Sequence, residues 1–404
     1  VEDIMKKILL AVLGLMAWIV ISTALAEKKY DTGASDTEIK IGQTMPYSGP
    51  ASAYGTIGKA EAAYFRMIND QGGINGRKLN FISLDDGYSP PRTVEQIRRL
   101  VEEDEVLFTF QNLGTAHNTA VQKYLNAKKV PQLFVATGAT KWGDPQNFPW
   151  TMGWQPNYQT EAHIYAKYLL QNKPQAKIAV LFQNDDYGKD YLKGLHEGLD
   201  KQAEKMVIKE VSYETSDPTV DSQVVTLQGS GADTLFIFAT PKFAAQAIRK
   251  TYDIGWRPLA FLNNVSASVA AVLEPAGLEK SKGLLTAVYL KDPTDPRWES
   301  EPAMKAWREW MKKYYPDGNA ADSLNIYGYA AAETLIQVLK QCGDDLTRAN
   351  IMRQAANLKN FEVPVLLPGV RLNTSASDFY PIEQIQLGQF DGKRWVLLGD
   401  VLAK

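Results

Sequence analysis

The chain is expected to be an α/β protein built from two doubly wound parallel-sheet lobes joined by several hinge crossings. Three observations predict this. Short apolar, β-prone runs alternate with segments whose apolar residues recur at helical spacing. The alternation runs through four strands and then starts again at Lys177. The runs end in loops of Gly, Ala, Ser and Thr, and in open α/β sheets the carboxyl ends of parallel strands are where ligands bind.

In the first half, a strand is expected over 39–44, ending in Met45-Pro46-Tyr47-Ser48-Gly49-Pro50. A helix over 58–68 follows and is stopped by Asn69-Asp70-Gln71-Gly72-Gly73. The Gly73-Ile74-Asn75-Gly76 turn leads to a strand over 78–84, which ends at Asp85-Asp86. Pro90-Pro91 suits the first turn of the next helix, which runs to about Glu103. Asp85 and Asp86 read better as strand terminator and helix cap than as a metal or catalytic pair.

The stretch 107–140 carries the main functional signal. An apolar run ends in Asn112-Leu113-Gly114-Thr115, a helical segment puts Ala120, Val121, Tyr124 and Leu125 on one face, and a second apolar run ends in Thr137-Gly138-Ala139-Thr140. The two loops would lie side by side. Gly and Ala leave backbone amides uncovered, Thr supplies hydroxyl donors, and a helix N-terminus adds partial positive charge. Such a pair of loops suits a small anion, a carboxylate above all.

The second half repeats the pattern. Strands are expected over 178–182, 207–211, 234–238 and 259–262, with helices over 187–202, 220–230 and 242–254 and another from Ser268. The remainder holds a strand over 283–289, helices over 303–315, 324–341 and 348–358, and a hairpin turned at Asp391-Gly392. These pieces are expected to complete the two lobes by crossing between them near 151–156, 289–293 and 361–367. One lobe would take 38–153 plus 291–361, the other 154–290 plus 362–404. Several parallel hinge segments favour opening and closing about one axis.

The 404 residues are 45% hydrophobic and 22% charged with net charge −2, an ordinary soluble composition. No basic stripe with interleaved aromatics is present, so nucleic acid is not an expected partner. Met5-Lys6-Lys7, an apolar run from Ile8 to Ser22 and Ala24-Leu25-Ala26 read as an export signal cleaved after Ala26, with 27–37 a flexible leader. The protein is therefore expected in the periplasm. The single cysteine, Cys342, allows no intrachain disulfide and reads as a buried small hydrophobe. His117, His163 and His196 are too scattered for metal-ligand spacing, and no cofactor motif is present. Trp298, Trp307 and Trp310 read as core. No G-x-G-x-x-G follows a strand and no G-x-S-x-G elbow occurs, which counts against an α/β enzyme.

An ordered series of local patterns makes the chain similar to a known family. It comprises Ile41-Gly42, Ser48-Gly49-Pro50 with Tyr54-Gly55, Gly72-Gly73-Ile74-Asn75-Gly76, Asp85-Asp86, Leu113-Gly114-Thr115, Ala136-Thr137-Gly138-Ala139-Thr140, Asp186-Tyr187-Gly188 and Ser230-Gly231-Ala232-Asp233. The chain resembles the solute-binding proteins of ABC importers in the branched-chain amino acid class, which have the type I periplasmic binding protein fold. The resemblance implies a monomeric, non-enzymatic capture protein that serves a permease in the inner membrane. It implies carboxylate anchors at Thr115, the Gly138 amide and Thr140, with Tyr54 and Tyr187 as aromatic walls. Tyr47, Leu113, His117, Tyr158 and Phe243 are placed near the same cleft.

The chain departs from the family pattern where amino-acid binders carry acids around the ligand ammonium. Asn157 and Asn263 stand there instead. Burying an ammonium without an acidic partner costs on the order of several kcal/mol, while one charge-assisted hydrogen bond returns roughly 1.5–3 kcal/mol. An organic acid without the amine, such as a benzoate or cinnamate derivative, is therefore the expected ligand. Tyr54, Tyr47, Tyr88, Trp154, Tyr158, Tyr187 and Phe243 would supply aromatic surface. A ligand sensor of the same fold, reporting to a membrane receptor, is the alternative role.

Overall fold

The computed structural model describes residues 28–403. The expected export signal, 1–26, lies outside the described residues. Residues 28–37 of the expected leader are placed against the fold. Lys29–Tyr30 (β1) pairs in parallel with Asp345–Leu346. The cause is Arg77, only 1% exposed, whose guanidinium meets Asp344 at 2.8 Å, the Tyr30 hydroxyl and the Ser35 carbonyl. A buried cation needs such partners, and they pin the segment down. A polar stretch without period gives no hint of this.

The first lobe is a five-stranded parallel sheet. Its strands are β2 (Glu38–Met45), β3 (Lys78–Asp85), β4 (Phe108–Phe110), β5 (Gln132–Val135) and β6 (Thr151–Gly153), ordered β3-β2-β4-β5-β6. Helix α1 (Gly55–Asp70) covers one face, with Phe65 packed edge-on to Phe81 at 5.1 Å. Helices α2 (Pro90–Glu102) and α3 (Thr115–Lys128) cover the other through Ile97, Leu100, Val121 and Leu125. The order reverses between β2 and β4, so the loops after β2, β4 and β5 open at one crevice.

The second lobe repeats this layout with α4 (Tyr158–Asn172), β7 (Ile178–Gln183), α5 (Asp186–Leu199), β8 (Val207–Tyr213), α6 (Asp221–Gly229), β9 (Thr234–Phe238), α7 (Pro241–Asp253), β10 (Leu259–Leu262) and β11 (Leu285–Val288). The helix expected from Ser268 is instead one wide turn, Val269–Leu273, followed by Glu274–Ala276. Pro275 has no N–H with which to continue a regular ladder.

Helices α8 (Pro302–Tyr314) and α9 (Ser323–Cys342) return to the first lobe, where the Ala60 methyl and the Ile57 carbonyl of α1 approach Gly328 of α9 closely. Strand β12 (Asp345–Leu346) and α10 (Arg348–Ala355) follow. The hairpin β13 (Gln384–Phe390) and β14 (Trp395–Ala403) adds antiparallel strands to β11, giving the seven-strand order β14-β13-β11-β10-β9-β7-β8. Two of the crossings run side by side: the Lys291 amide donates to the Val365 carbonyl at 2.9 Å and the Leu367 amide to that of Tyr289 at 2.8 Å. Trp307 and Cys342 are buried, and burial pushes the Cys342 thiol up to about 12. Among the described residues no helix is long and apolar enough to cross a membrane, and no group of acids, histidines and cysteine could hold a metal ion.

Candidate functional site

The loops of both lobes meet at a cleft holding about 890 Å³ of empty space, its mouth included. The loop after β4 and the loop after β5 are clamped together. Leu113 and Ala136 continue the parallel pairing as a bridge. Asn118 Nδ2 donates to the carbonyls of Asn112 and Gly114 at 2.7 and 2.8 Å. Gly114, at φ +100°, is the residue before α3, and a Cβ there would meet His117 Nδ1 at 2.3 Å. With glycine in that place no side chain caps the amides of the first turn of α3, and they stay available to an anion.

Two hydroxyls face the cleft beside that turn. Thr115 Oγ1 and Thr137 Oγ1 lie 2.6 Å apart, both buried and both on the cleft wall. The Thr137 oxygen accepts from the Ala139 amide at 3.3 Å and the Trp142 indole N–H at 3.4 Å. Either threonine can donate in this pair, and Thr137 bonds with the Tyr158 hydroxyl as well, so Thr115 is the hydroxyl of the two turned to a ligand. The resulting constellation, one oriented hydroxyl and a helix N-terminus on an apolar wall, suits a carboxylate oxygen. Arg, Lys and His are absent from the described lining.

The remaining wall is aromatic and comes from both lobes. Tyr54, Tyr88 and Tyr327 belong to the first lobe, Tyr158 and Tyr187 to the second, and Tyr289 to a crossing. Tyr158 stacks on Tyr191 at 4.2 Å and meets Tyr187 edge-on at 5.5 Å. Burial holds the phenols of Tyr54, Tyr88, Tyr187 and Tyr327 well above their ordinary value, so they stay neutral. Bonds also cross the cleft. The Tyr54 hydroxyl donates to the Val265 carbonyl at 3.1 Å, Ser268 Oγ to Asp322 at 2.8 Å, and Lys141 pairs with Asp186 at 2.8 Å. The lobes are closed.

Residues 38–394 match the periplasmic binding protein family. The chain belongs to that family. Among similar proteins, Leu/Ile/Val-binding protein homolog 1 of Brucella suis is 24% identical over 317 residues, 78% of this chain and 81% of the relative. Leu/Ile/Val-binding protein homolog 3 of Brucella melitensis is 25% identical over 85% of this chain and 90% of its own. The fold is that of a branched-chain amino acid ABC transporter protein from Thermus thermophilus with bound valine (TM-score 0.82, 15% identity, 92% of this chain and 98% of that one). It is equally that of a fatty acid ABC transporter substrate-binding protein from Thermomonospora curvata (TM-score 0.79, 22% identity, 93% and 95%). The family is one of binding proteins, not enzymes.

In this periplasmic binding protein, Tyr54, Leu113, Thr115, Tyr158 and Tyr187 line the cleft. Seven other expected site residues lie off it. Thr140 turns away: its amide and hydroxyl donate to Asp190 at 2.8 and 3.1 Å, an inter-lobe tie at the rim. Gly138 faces the crossing, with its amide turned to the Tyr158 hydroxyl and its would-be Cβ 2.5 Å from the Pro156 carbonyl. Asn157 caps α4 by accepting from the Thr160 amide at 2.8 Å. Asn263 stands behind the wall, donating to the Tyr187 hydroxyl at 2.7 Å. Tyr47 is held by Ser83 at 2.6 Å, Phe243 is fully buried against Tyr213, and His117 lies under Tyr88 at 4.2 Å. Trp154 is fully buried beneath the cleft, not in it.

The sequence reading missed Thr137, Gln155, Asn264, Tyr289, Asp292 and Tyr327 as site residues. Thr137 sat in a loop already singled out, and Asn264 one register from Asn263. Tyr327, inside an apolar helix, carried no signal. The expectation that the cleft lacks acids is also corrected. Asp292 lies on its wall, accepting from the Thr294 amide and hydroxyl at 2.8 and 2.7 Å, and burial pushes its carboxyl up to about 6.

A second acid stands just behind. Glu161, fully buried, accepts from the hydroxyls of Tyr165 and Tyr191 at 2.6 and 2.8 Å and from the Asn264 amide at 2.8 Å, and also from Asn264 Nδ2. Burial pushes it up to about 7 despite these donors. A carboxyl with a raised folded pKa binds its proton more tightly when folded, so its contribution is full below about 4.5 and is lost as pH rises to about 7. Glu161→Gln is expected to flatten stability between these values, the wild type losing up to about 3 kcal/mol more than the variant. Urea unfolding at a series of pH values checks this, and parallel profiles would refute it.

Proposed function

We propose that this binding protein captures a carboxylate with an apolar or aromatic body between its lobes and delivers it to an ABC-type permease of the inner membrane. It works in the periplasm, as a monomer, with the lobe division near the three crossings serving as the hinge. The single observation that carries this reading is the Thr115–Thr137 hydroxyl pair beside the uncapped first turn of α3, on a wall of tyrosines. The ligand meets Thr115 and the first lobe, then Tyr187 and Tyr158 stabilise closure, and the permease recognises the closed pair. Aromatic and other organic acids are favoured over branched-chain amino acids because the acid that meets Asn264, Glu161, is fully buried behind the wall with its oxygens already taken by Tyr165, Tyr191 and Asn264. Delivery to the permease is preferred to signalling, since relatives in two solved structures are described as ABC transporter components.

Asp292 favours a second reading, an α-amino acid with its ammonium on that carboxylate. Calorimetric titration of the protein with benzoate, cinnamate, leucine and valine separates the two, together with Asp292→Asn. On the organic-acid reading the aromatic acids bind, and the variant keeps its affinity for them within a few-fold. Tight leucine binding that falls tenfold or more in Asp292→Asn would replace that reading with the second.

A further inference from the structure

The crossing that follows β6 brings Gln155 to the cleft wall. Its side chain is 5% exposed, and its two ends are in different states. The carboxamide oxygen accepts from the Tyr327 hydroxyl at 2.7 Å. The Nε2 group, buried, has no hydrogen-bond partner. An unpartnered buried N–H₂ is costly, and a binding site that leaves one on its wall is set to meet an acceptor.

The position of that donor narrows the acceptor. The Pro156 carbonyl, next in the chain, packs on Gly138, and the Tyr158 amide donates to the Gly138 carbonyl at 2.7 Å. The crossing is thus laid against the loop that carries Thr137, so a group reaching Gln155 sits close to the carboxylate held there. A carboxamide N–H₂ cannot accept from an ammonium, whereas it donates to a carbonyl oxygen. We propose that Gln155 determines specificity by donating to a carbonyl at C2, making the preferred ligand a 2-oxo acid with an aromatic or branched apolar body. This rests on the carboxylate reading above. Tyr327 is the positioning residue: its hydroxyl holds the oxygen end of Gln155 and so turns the nitrogen end to the ligand. Trp154, fully buried beneath, keeps the crossing from shifting.

The test uses sets of ligands that differ at C2 alone. Phenylpyruvate, 3-phenylpropionate and phenylalanine form one set, with 4-methyl-2-oxopentanoate, 4-methylpentanoate and leucine as an aliphatic set. Titration calorimetry is run on the wild type, on Gln155→Met, which keeps the volume and removes the donor, and on Gln155→Glu. In at least one set the wild type is expected to bind the 2-oxo acid about tenfold or more tighter than the plain acid, with the amino acid weakest. Gln155→Met erases that preference, bringing the oxo and plain acids to equal affinity. Gln155→Glu, an acceptor in the same place, shifts the preference toward the amino acid. Equal wild-type affinity for the oxo and plain acids, or a preference that survives in Gln155→Met, overturns the role of Gln155 and leaves the carboxylate reading standing. Failure of every acid in both sets to bind the wild type overturns the carboxylate reading as well.

Discussion

Replacing Thr115 and Thr137 together by Val is expected to weaken binding of any carboxylate ligand about tenfold to a hundredfold. A hydrogen bond to a charged group is worth roughly 1.5–3 kcal/mol, and about 1.4 kcal/mol is a factor of ten. Thr115 is the hydroxyl turned to the ligand, and Thr137 holds it in direction through the 2.6 Å bond between them. The single variants are expected to differ. Thr115→Val removes the donor outright, while Thr137→Val leaves it present but free to rotate, with a smaller loss. Valine keeps the volume of threonine, so the loops stay packed, although the Ala139 amide and the Trp142 indole lose an acceptor at Thr137. Calorimetry on the three variants checks the order. Unchanged affinity in the double variant would remove the anion site from these loops.

Trp154→Ala is expected to have the largest effect on stability, a loss of about 3–5 kcal/mol. The indole is fully buried at the first crossing, edge-on to Tyr327 at 4.9 Å and 6.3 Å from Tyr289, and its N–H donates to Thr334 of α9 at 3.1 Å. Both tyrosines line the cleft. The cavity left by alanine sits under the ligand wall and between the lobes, so ligand affinity is expected to fall along with stability. Urea unfolding measures the first effect and titration the second. A loss below 1 kcal/mol would mean that the crossing repacks freely around the gap.

Much of the molecule is legible from the residues in order. Apolar runs at the two periodicities place the strands and helices of both halves because each element buries one face regardless of its neighbours. The loops after β4 and β5 are recognisable from small residues at strand ends, while Thr115 as the anchor within them came through the family resemblance. Tyr54 and Tyr187 came through the family resemblance. The loop containing Thr137 and Thr140 is legible, but which of these two threonines faces the crevice is not, because that depends on what waits on the other side. Asp190, from the opposite lobe, claims Thr140.

What the chain determines by itself is therefore local: the two sheets, the small-residue loops at their carboxyl ends, and the direction of a helix N-terminus beside two hydroxyls. What the tertiary structure alone decides is which side chains those loops share with distant segments. Gln155, Asp292, Tyr289 and Tyr327 reach the cleft only because two crossings and α9 run beneath it. Asn263 and Asn264 exchange roles because Tyr187 claims one and Glu161 the other. Partnership across the fold is set by packing between elements far apart in the chain, and hydrogen-bonding groups settle on whichever buried partner that packing brings within 3 Å or so.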